Sequence, residues 1–300
     1  MSLWIAVTLS AAFFQTLRFM LQRQLAIDTL SPQGATFARF AYSAPLIAVG
    51  TTLYYSSAGL DLPPLPSAFW AYAATGGLAQ ILATVAVVTL FKARNFAVGI
   101  TFKKTEAILI VLVGWIVLGE GVTLAGFAAI ALGLVGVLML SAPPENMRWR
   151  PRDLVNKAAG LGVASGLLFA VSGVCYRGAS LEIALEDPIA RSSLTLACVT
   201  AMQGTAMALW LRWREVGQIT AVWTARRLAV LVGLMSMAGS FGWFTAFTLQ
   251  NAAYVKAVGQ IELVLSLFAS LVVFREKIVP REWLGMIVLI CSILLLILVI

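Results

Sequence analysis

Ten apolar blocks, each about the length needed to cross a lipid bilayer, occupy almost the whole chain. A helix that spans the hydrocarbon core needs roughly 20 mostly apolar residues, and it must satisfy its backbone polar groups internally. The blocks cover residues 3–25, 34–56, 67–90, 96–118, 122–141, 158–178, 189–211, 228–249, 252–274 and 280–299. The pattern therefore predicts an all-α membrane protein with ten transmembrane helices and little chain left for a soluble domain.

The side-chain inventory argues against an enzyme. The sequence contains no histidine, which removes the usual proton shuttle and the commonest metal ligand. Its four aspartates fall in predicted loops or at helix ends, and no glycine-rich phosphate loop follows a strand. We expect no catalysis, no cofactor and no metal site, so any transport would be driven by gradients and not by ATP.

The positive charges outside the apolar blocks lie almost entirely on one side of the predicted bundle. One side of the predicted bundle carries Arg23, Lys92, Arg94, Arg148, Arg150, Arg152, Lys157, Arg212, Arg214, Arg226, Arg227, Arg275, Lys277 and Arg281. The other side carries only Arg177 and Arg191. Because basic loops stay in the cytoplasm, this bias predicts a multi-pass protein of the cell (inner) membrane with both termini non-cytoplasmic. It also explains the net charge of +8 without nucleic acid.

The two halves of the chain share a pattern of acidic residues. A shift of 156 residues, without a gap, superposes Glu106 on Glu262 and Glu120 on Glu276. Five helices per copy is an odd number, so the second copy must cross the membrane in the opposite direction, as in transporters with inverted repeats. The sequence thus predicts two five-helix repeats around a central cavity, residues 3–141 and 158–299, joined by a basic cytoplasmic linker at residues 142–157.

The same segments resemble a known family. Glu106-Ala107-Ile108 leads to Leu118-Gly119-Glu120, Glu262-Leu263-Val264 leads to Phe274-Arg275-Glu276, and Gly126, Gly133 and Gly136 follow in the first copy. This arrangement resembles the EamA type of the drug/metabolite transporter superfamily, and is most similar to its YddG-type exporters. The resemblance implies export of aromatic amino acids and related compounds. Ala107 and Leu263 stand where that family often has proline, so the residue that would mark a helix break is missing and the two blocks are taken as continuous helices.

The two buried acids, Glu106 and Glu262, and the neighbouring Lys104 are the leading candidates for a binding or coupling site. Glu106 lies about 15 Å along its helix, near the middle of a hydrocarbon slab about 30 Å thick, and Glu262 reaches a similar depth. Lys103 and Lys104 precede Glu106, and Lys103 is placed to pair with it along one helix face. A lysine facing the carboxylate of an amino acid, with a glutamate facing its ammonium, is one interpretation. Mutual neutralisation within the bundle is the other.

Further polar and aromatic residues at membrane depth are second-line cavity candidates: Gln15, Arg39, Gln80, Trp243, Tyr254 and Gln260. Arg39 could pair with a glutamate, position a carboxylate or act as a gate, and a structural salt bridge is slightly favoured. Arg18 is expected to extend toward the cytoplasmic interface beside Arg23. Trp243, with Tyr254, Phe13 and Phe14, offers an aromatic surface to a flat substrate, or else packs against lipid or core.

These observations favour a monomeric secondary transporter that exports aromatic or other neutral amino acids by alternating access. Its partners would be a small-molecule substrate and the lipid bilayer. A multidrug or organic-cation exporter is the alternative within the same class. A passive channel is the alternative of a different class, although no ring of repeated polar residues favours it.

Overall fold

A computed structural model describes residues 2–90, 102–141, 157–273 and 280–300, and its regular secondary structure in these ranges is α-helical. The helices are α1 (Leu3–Asp28), α2 (Pro32–Ala58), α3 (Ser67–Leu90), α4 (Glu106–Leu118), α5 (Leu124–Ser141), α6 (Lys157–Leu181), α7 (Pro188–Arg214), α8 (Gln218–Thr224), α9 (Arg226–Leu249), α10 (Ala252–Gly259), α11 (Glu262–Val273) and α12 (Pro280–Val299). The linker at 142–156, the loop at 91–95 and Glu276 lie outside the described residues.

Six of the described helices, α1, α3, α6, α7, α9 and α12, are long and apolar enough to cross a membrane. Helices α4 and α5 are apolar but shorter, and α2 is long enough but less apolar. Large hydrophobic side chains such as Leu53, Trp115 and Leu298 are exposed on the outer faces. An outer surface of this kind suits contact with lipid better than contact with water.

Two predicted blocks are interrupted where a continuous helix was expected. In the ninth block, α10 ends at Gly259 and α11 begins at Glu262. In the fourth, Phe102 and Lys103 are helical, Lys104 and Thr105 form a turn, and α4 begins at Glu106. Each glutamate is therefore the first residue of a new helix, and the expectation of an unbroken helix was wrong.

The two interruptions have the same hydrogen bonds. Thr105 N–H donates to the Phe102 carbonyl at 3.2 Å, and the N–H of Ile261, its partner under the 156-residue shift, donates to the Val258 carbonyl at 3.1 Å. At the start of the following helices, the Ala107 N–H donates to the Lys104 carbonyl and the Leu263 N–H donates to the Gln260 carbonyl. These are bonds of the tighter 3₁₀ type, which frequently mark a functional hinge within a helix.

Helices from the first half pack chiefly on helices from the second. Helix α1 lies along α9, α3 along α6, α2 on α7, and α5 on α12. Small residues permit the closest of these approaches: a methyl group added at Gly136 would lie 2.8 Å from the backbone nitrogen of Leu289. Neither half therefore forms the bundle core on its own, and the centre of the molecule is built from both.

Candidate functional site

Two ion pairs cross between the halves at the helix breaks. Lys256 of α10 lies 2.8 Å from an oxygen of Glu106 on α4, as an ion pair without hydrogen-bond alignment. Lys104 donates to Glu262 at the start of α11. The side chains of Lys104 and Glu106 are each only 4% exposed. Charges buried this deeply are stable only when opposite charges compensate them, and here each half compensates the other.

Two more side chains complete this cluster. Lys103 Nζ lies 3.6 Å from Glu106 and 3.8 Å from Glu262, so it bridges the two carboxylates. Gln15 of α1 donates from Nε2 to the second oxygen of Glu262 at 2.6 Å. The structure thus brings together five of the predicted site residues, and three lysines share two carboxylates. It also places each carboxylate at a helix N-terminus, where the helix dipole favours negative charge.

A narrow, largely enclosed cavity of about 30 Å³ lies beside the cluster in this conformation. It is lined by Gln15, Arg18, Arg39, Gln80, Phe169, Ser172, Gly173, Tyr176, Ser236, Gly239, Ser240, Trp243, Phe244, Phe247 and Lys256. These residues come from both halves of the chain. Among the described lining residues, three are cationic and none is a carboxylate. Lys103, Lys104, Glu106 and Glu262 stand behind the wall and do not line the cavity.

Arg39 is held in the cavity wall by hydroxyl groups, although a salt bridge was the favoured expectation. Its Nε donates to Ser236 Oγ at 2.8 Å and its Nη2 to Ser240 Oγ at 3.1 Å. A longer contact of 3.5 Å joins Nη1 to Thr84 Oγ1. In the ranges that the structure describes, no carboxylate lies within ion-pair distance of Arg39, which is 4% exposed. The predicted salt bridge was wrong because neutral donors and acceptors from α9 surround the guanidinium.

Arg18 is also buried, so the expectation that it extends to the cytoplasmic interface was wrong. It is 3% exposed and lines the cavity, with its guanidinium carbon 4.2 Å from the ring centre of Phe19. Its Nη1 finds no hydrogen-bond partner among the described residues. Helix α1 packs along α9 here, which keeps the side chain inside the bundle.

The aromatic wall contains Trp243 but not the residues expected beside it. Trp243 stacks on Phe247 with ring centres 5.8 Å apart, and Lys256 Nζ lies 4.4 Å from the Trp243 ring centre. Tyr254 instead accepts a hydrogen bond from the Thr123 N–H at 3.0 Å, away from the cavity. Phe13 is exposed on the outside, and Phe14 is not a lining residue. The aromatic surface is supplied by α6 and α9, which sequence reasoning did not identify apart from Trp243.

The polar amides have different positions. Gln80 lines the cavity and accepts hydrogen bonds from Tyr176 Oη and Gln203 Nε2, each at 3.0 Å. Gln260 is buried within the second helix break, where its Nε2 donates to the Lys256 carbonyl at 3.4 Å. Gln260 does not line the cavity and instead lies in the second helix break, beside the charged cluster.

One ion pair lies at the end of the bundle where α4, α6 and α9 terminate, and sequence reasoning missed it. Arg177 donates from Nε and Nη2 to both oxygens of Glu120, at 2.7–2.9 Å. Its Nη1 donates to the carbonyls of Phe247 and Gln250, at 2.7 and 2.9 Å. Gly119, in the left-handed conformation at φ 67°, ends α4 and allows the chain to turn at Glu120. A signal was present, because Arg177 is one of only two basic residues on its predicted side.

Replacing Arg177 by Lys should loosen this end of the bundle. A single ammonium cannot reproduce the planar fork that bonds Glu120 and two carbonyls together. We expect a loss of about 1.5–3 kcal/mol of stability, as for hydrogen bonds to a charged group. Hydrogen exchange should become faster at the C-terminal ends of α6 and α9 and stay unchanged in α12. Equal exchange in the Lys variant and the wild type would contradict this.

Comparison with solved structures shows that the fold is not unique to this chain, since 28 chains of solved structures match it. One, described as "Crystal structure of protein", matches with a TM-score of 0.72 at 14% sequence identity, covering 98% of this chain and 97% of that chain. At this identity the likeness shows a shared fold alone. No curated protein matches the chain.

The family comparison concerns the second half. Residues 156–298 match the EamA-like transporter family, which belongs to the superfamily that the sequence resembled. The match covers α6 to α12 and includes Lys256, Glu262 and Trp243. Taken with the six long apolar helices, it indicates a multi-pass membrane protein. The second half of this chain is therefore similar to EamA-like transporters.

Proposed function

We propose that this protein is a secondary transporter that exports aromatic or other neutral amino acids across the cell membrane. The observation that carries the proposal is the cavity itself, which is enclosed by helices of both halves and combines cationic, amide and aromatic side chains. Small-molecule sites are concave, mostly apolar and fitted with a few polar groups that fix orientation. An amino acid offers a carboxylate for Arg18 or Arg39, and a flat group for Trp243 and Phe247.

Alternating access by two inverted repeats would use the geometry around the cavity. The crosswise packing of α1 on α9 and α3 on α6, together with the repeated helix break, supports that interpretation. Rocking of one half against the other would open the cavity to each side in turn. The bond from Arg177 to Glu120 would close the non-cytoplasmic end in this conformation. A monomer with both termini outside is sufficient for this cycle.

The charge of the cavity wall bears on the organic-cation alternative. Arg18, Arg39 and Lys256 line the space, whereas Glu106 and Glu262 are behind it and already paired with lysines. An organic cation would meet two arginines without an ion-pair partner and, among the described lining residues, no carboxylate. The described wall therefore favours a substrate that carries a negative group.

Counterflow in proteoliposomes tests the proposed transport. Vesicles preloaded with unlabelled phenylalanine should accumulate labelled phenylalanine saturably, and empty liposomes should not. The measurement is repeated with and without an imposed pH gradient, which separates proton coupling from facilitated exchange. Ser172→Leu, which fills part of the cavity, should abolish counterflow, while Ser57→Leu at an exposed position of α2 should not.

Two outcomes would reject the proposal. Flux without saturation or counterflow would indicate a channel. Counterflow of an organic cation in place of phenylalanine would transfer the assignment to the drug exporters.

A further inference from the structure

The positive charge around the cavity exceeds the negative charge among the described residues. Arg18, Arg39, Lys103, Lys104 and Lys256 face only Glu106 and Glu262. The three lysines share these two carboxylates and keep one positive charge in excess, whereas neither arginine lies within ion-pair distance of a described carboxylate. Most of the uncompensated charge therefore falls on the two arginines. An uncompensated cation inside a membrane bundle is costly, and such residues mark ligand or ion pathways.

The two guanidinium groups are available to a ligand. Both line the cavity and both are at most 4% exposed, so they are buried and yet face open space. Arg18 Nη1 lacks a partner among the described residues, and Arg39 is bonded to neutral hydroxyls. A guanidinium presents five donors in a planar fork, which matches the two oxygens of a carboxylate. An anion can displace the hydroxyl partners of Arg39, because hydroxyl groups are neutral and their displacement leaves no unpaired charge in the bundle.

On this basis we propose that Arg18 and Arg39 together form an anion-binding site that takes the carboxylate of the substrate, with the apolar group of the substrate against Trp243 and Phe247. This rests on the proposed function and specifies its substrate class: the carboxylate is required and the ammonium is not. The lysines, which the sequence suggested for this role, are occupied by Glu106 and Glu262. Aromatic carboxylates without an amino group therefore belong to the ligands of this cavity.

The geometry also explains why an ammonium contributes little. The described lining contains no carboxylate, and the nearest acids are bonded to Lys104, Lys256 and Gln15. Among the described lining side chains, neutral oxygens such as the Ser172 hydroxyl remain to accept from an ammonium, whereas the Gln80 oxygen already accepts two hydrogen bonds. A neutral oxygen offers an ammonium no opposite charge, whereas a guanidinium and a carboxylate are both ionised and can form two parallel hydrogen bonds.

Three probes with the same phenyl-ethyl skeleton test the inference on the purified full-length protein in detergent. Phenylalanine carries both charged groups, phenylpropanoate only the carboxylate, and phenylethylamine only the ammonium. Calorimetry should show binding of phenylpropanoate and no binding of phenylethylamine. This comparison uses the wild type, so it does not depend on whether any variant folds.

Variants then assign the site to the two arginines. Arg39→Gln and Arg18→Gln should each weaken phenylpropanoate binding about tenfold or more, as expected for loss of a charge-assisted hydrogen bond. Arg39→Lys, which keeps the charge and loses the fork, should have an intermediate effect. Arg214→Gln makes the same change at an exposed position outside the cavity and should leave the affinity unchanged.

The inference is overturned if phenylethylamine binds as tightly as phenylpropanoate, if phenylpropanoate does not bind, or if both Gln variants keep wild-type affinity. These results are separable from failure of the proposed transport. Counterflow of phenylalanine without phenylpropanoate binding would remove the anion site and leave the transporter. Phenylpropanoate binding without counterflow of any probe would keep the anion site and reject the proposed transport.

Discussion

Glu106→Gln should destabilise the folded protein by about 3–5 kcal/mol, the cost of removing one partner from a buried ion pair. The substitution would remove the one carboxylate of the described chain that lies within ion-pair distance of Lys256. Lys103 would keep its ion pair with Glu262, at 3.8 Å. The Lys256 ammonium would then remain buried against the faces of Trp243 and Phe247 without a counter-charge. Thermal unfolding in a mild detergent measures the loss.

A second substitution distinguishes a stranded charge from a general packing defect. Glu106→Gln combined with Lys256→Gln removes both charges and should recover most of the lost stability, giving a large interaction energy in the double-mutant cycle. Glu182→Gln is the matched control at an exposed position and should have no measurable effect. If the losses of stability were additive in the double variant, Glu106 and Lys256 would not be compensating each other's charge.

Gly166→Ala should displace the first helix break and abolish transport. A methyl group at this position of α6 would lie 2.8 Å from the carbonyl oxygen of Lys103 and 3.3 Å from the backbone nitrogen of Glu106. Both neighbours are backbone atoms, so the turn as a whole must move and carry the glutamate with it. Overpacking of this kind typically costs about 1–3 kcal/mol. Counterflow is the readout, with thermal unfolding measured on the same sample.

The same helix supplies the control. Gly160→Ala makes the identical change about one and two-thirds turns earlier in α6, where the added methyl meets nothing within 4 Å. Alanine has the higher helix propensity, so this variant should be as stable as the wild type or slightly more so. If the Gly166→Ala variant also shows wild-type counterflow, transport does not depend on the position of the first helix break.

Sequence reasoning identified the charged centre better than its connections. Depth along an apolar block indicated that Glu106 would be buried, and a three-residue spacing indicated its contact with Lys103, which persists across the intervening turn because the two residues are close in sequence. The pairs from Lys256 to Glu106 and from Lys104 to Glu262 depend on how the halves dock. No pattern within either segment encodes that docking.

The helix breaks show a different limit. A proline would have indicated a helix break in the sequence, but Ala107 and Leu263 are both compatible with a continuous helix. The first turn is instead accommodated by the close approach of Gly166 from α6, a contact between helices far apart in sequence. Likewise, the surroundings of Arg39 were misjudged because hydroxyls of Ser236 and Ser240 arrive from α9. Interhelical contacts of this kind are what a single sequence leaves open.

The crosswise ion pairs have a consequence for biogenesis. The ribosome delivers the first half to the membrane before the second exists, and at that stage the pair from Lys103 to Glu106 is the one ion pair of the cluster that the half can form. Lys104 must wait until Glu262 has been synthesised and inserted. The nascent first half is thus an incomplete electrostatic unit, and its charged helix becomes stable in the bilayer only when the newly made second half docks against it.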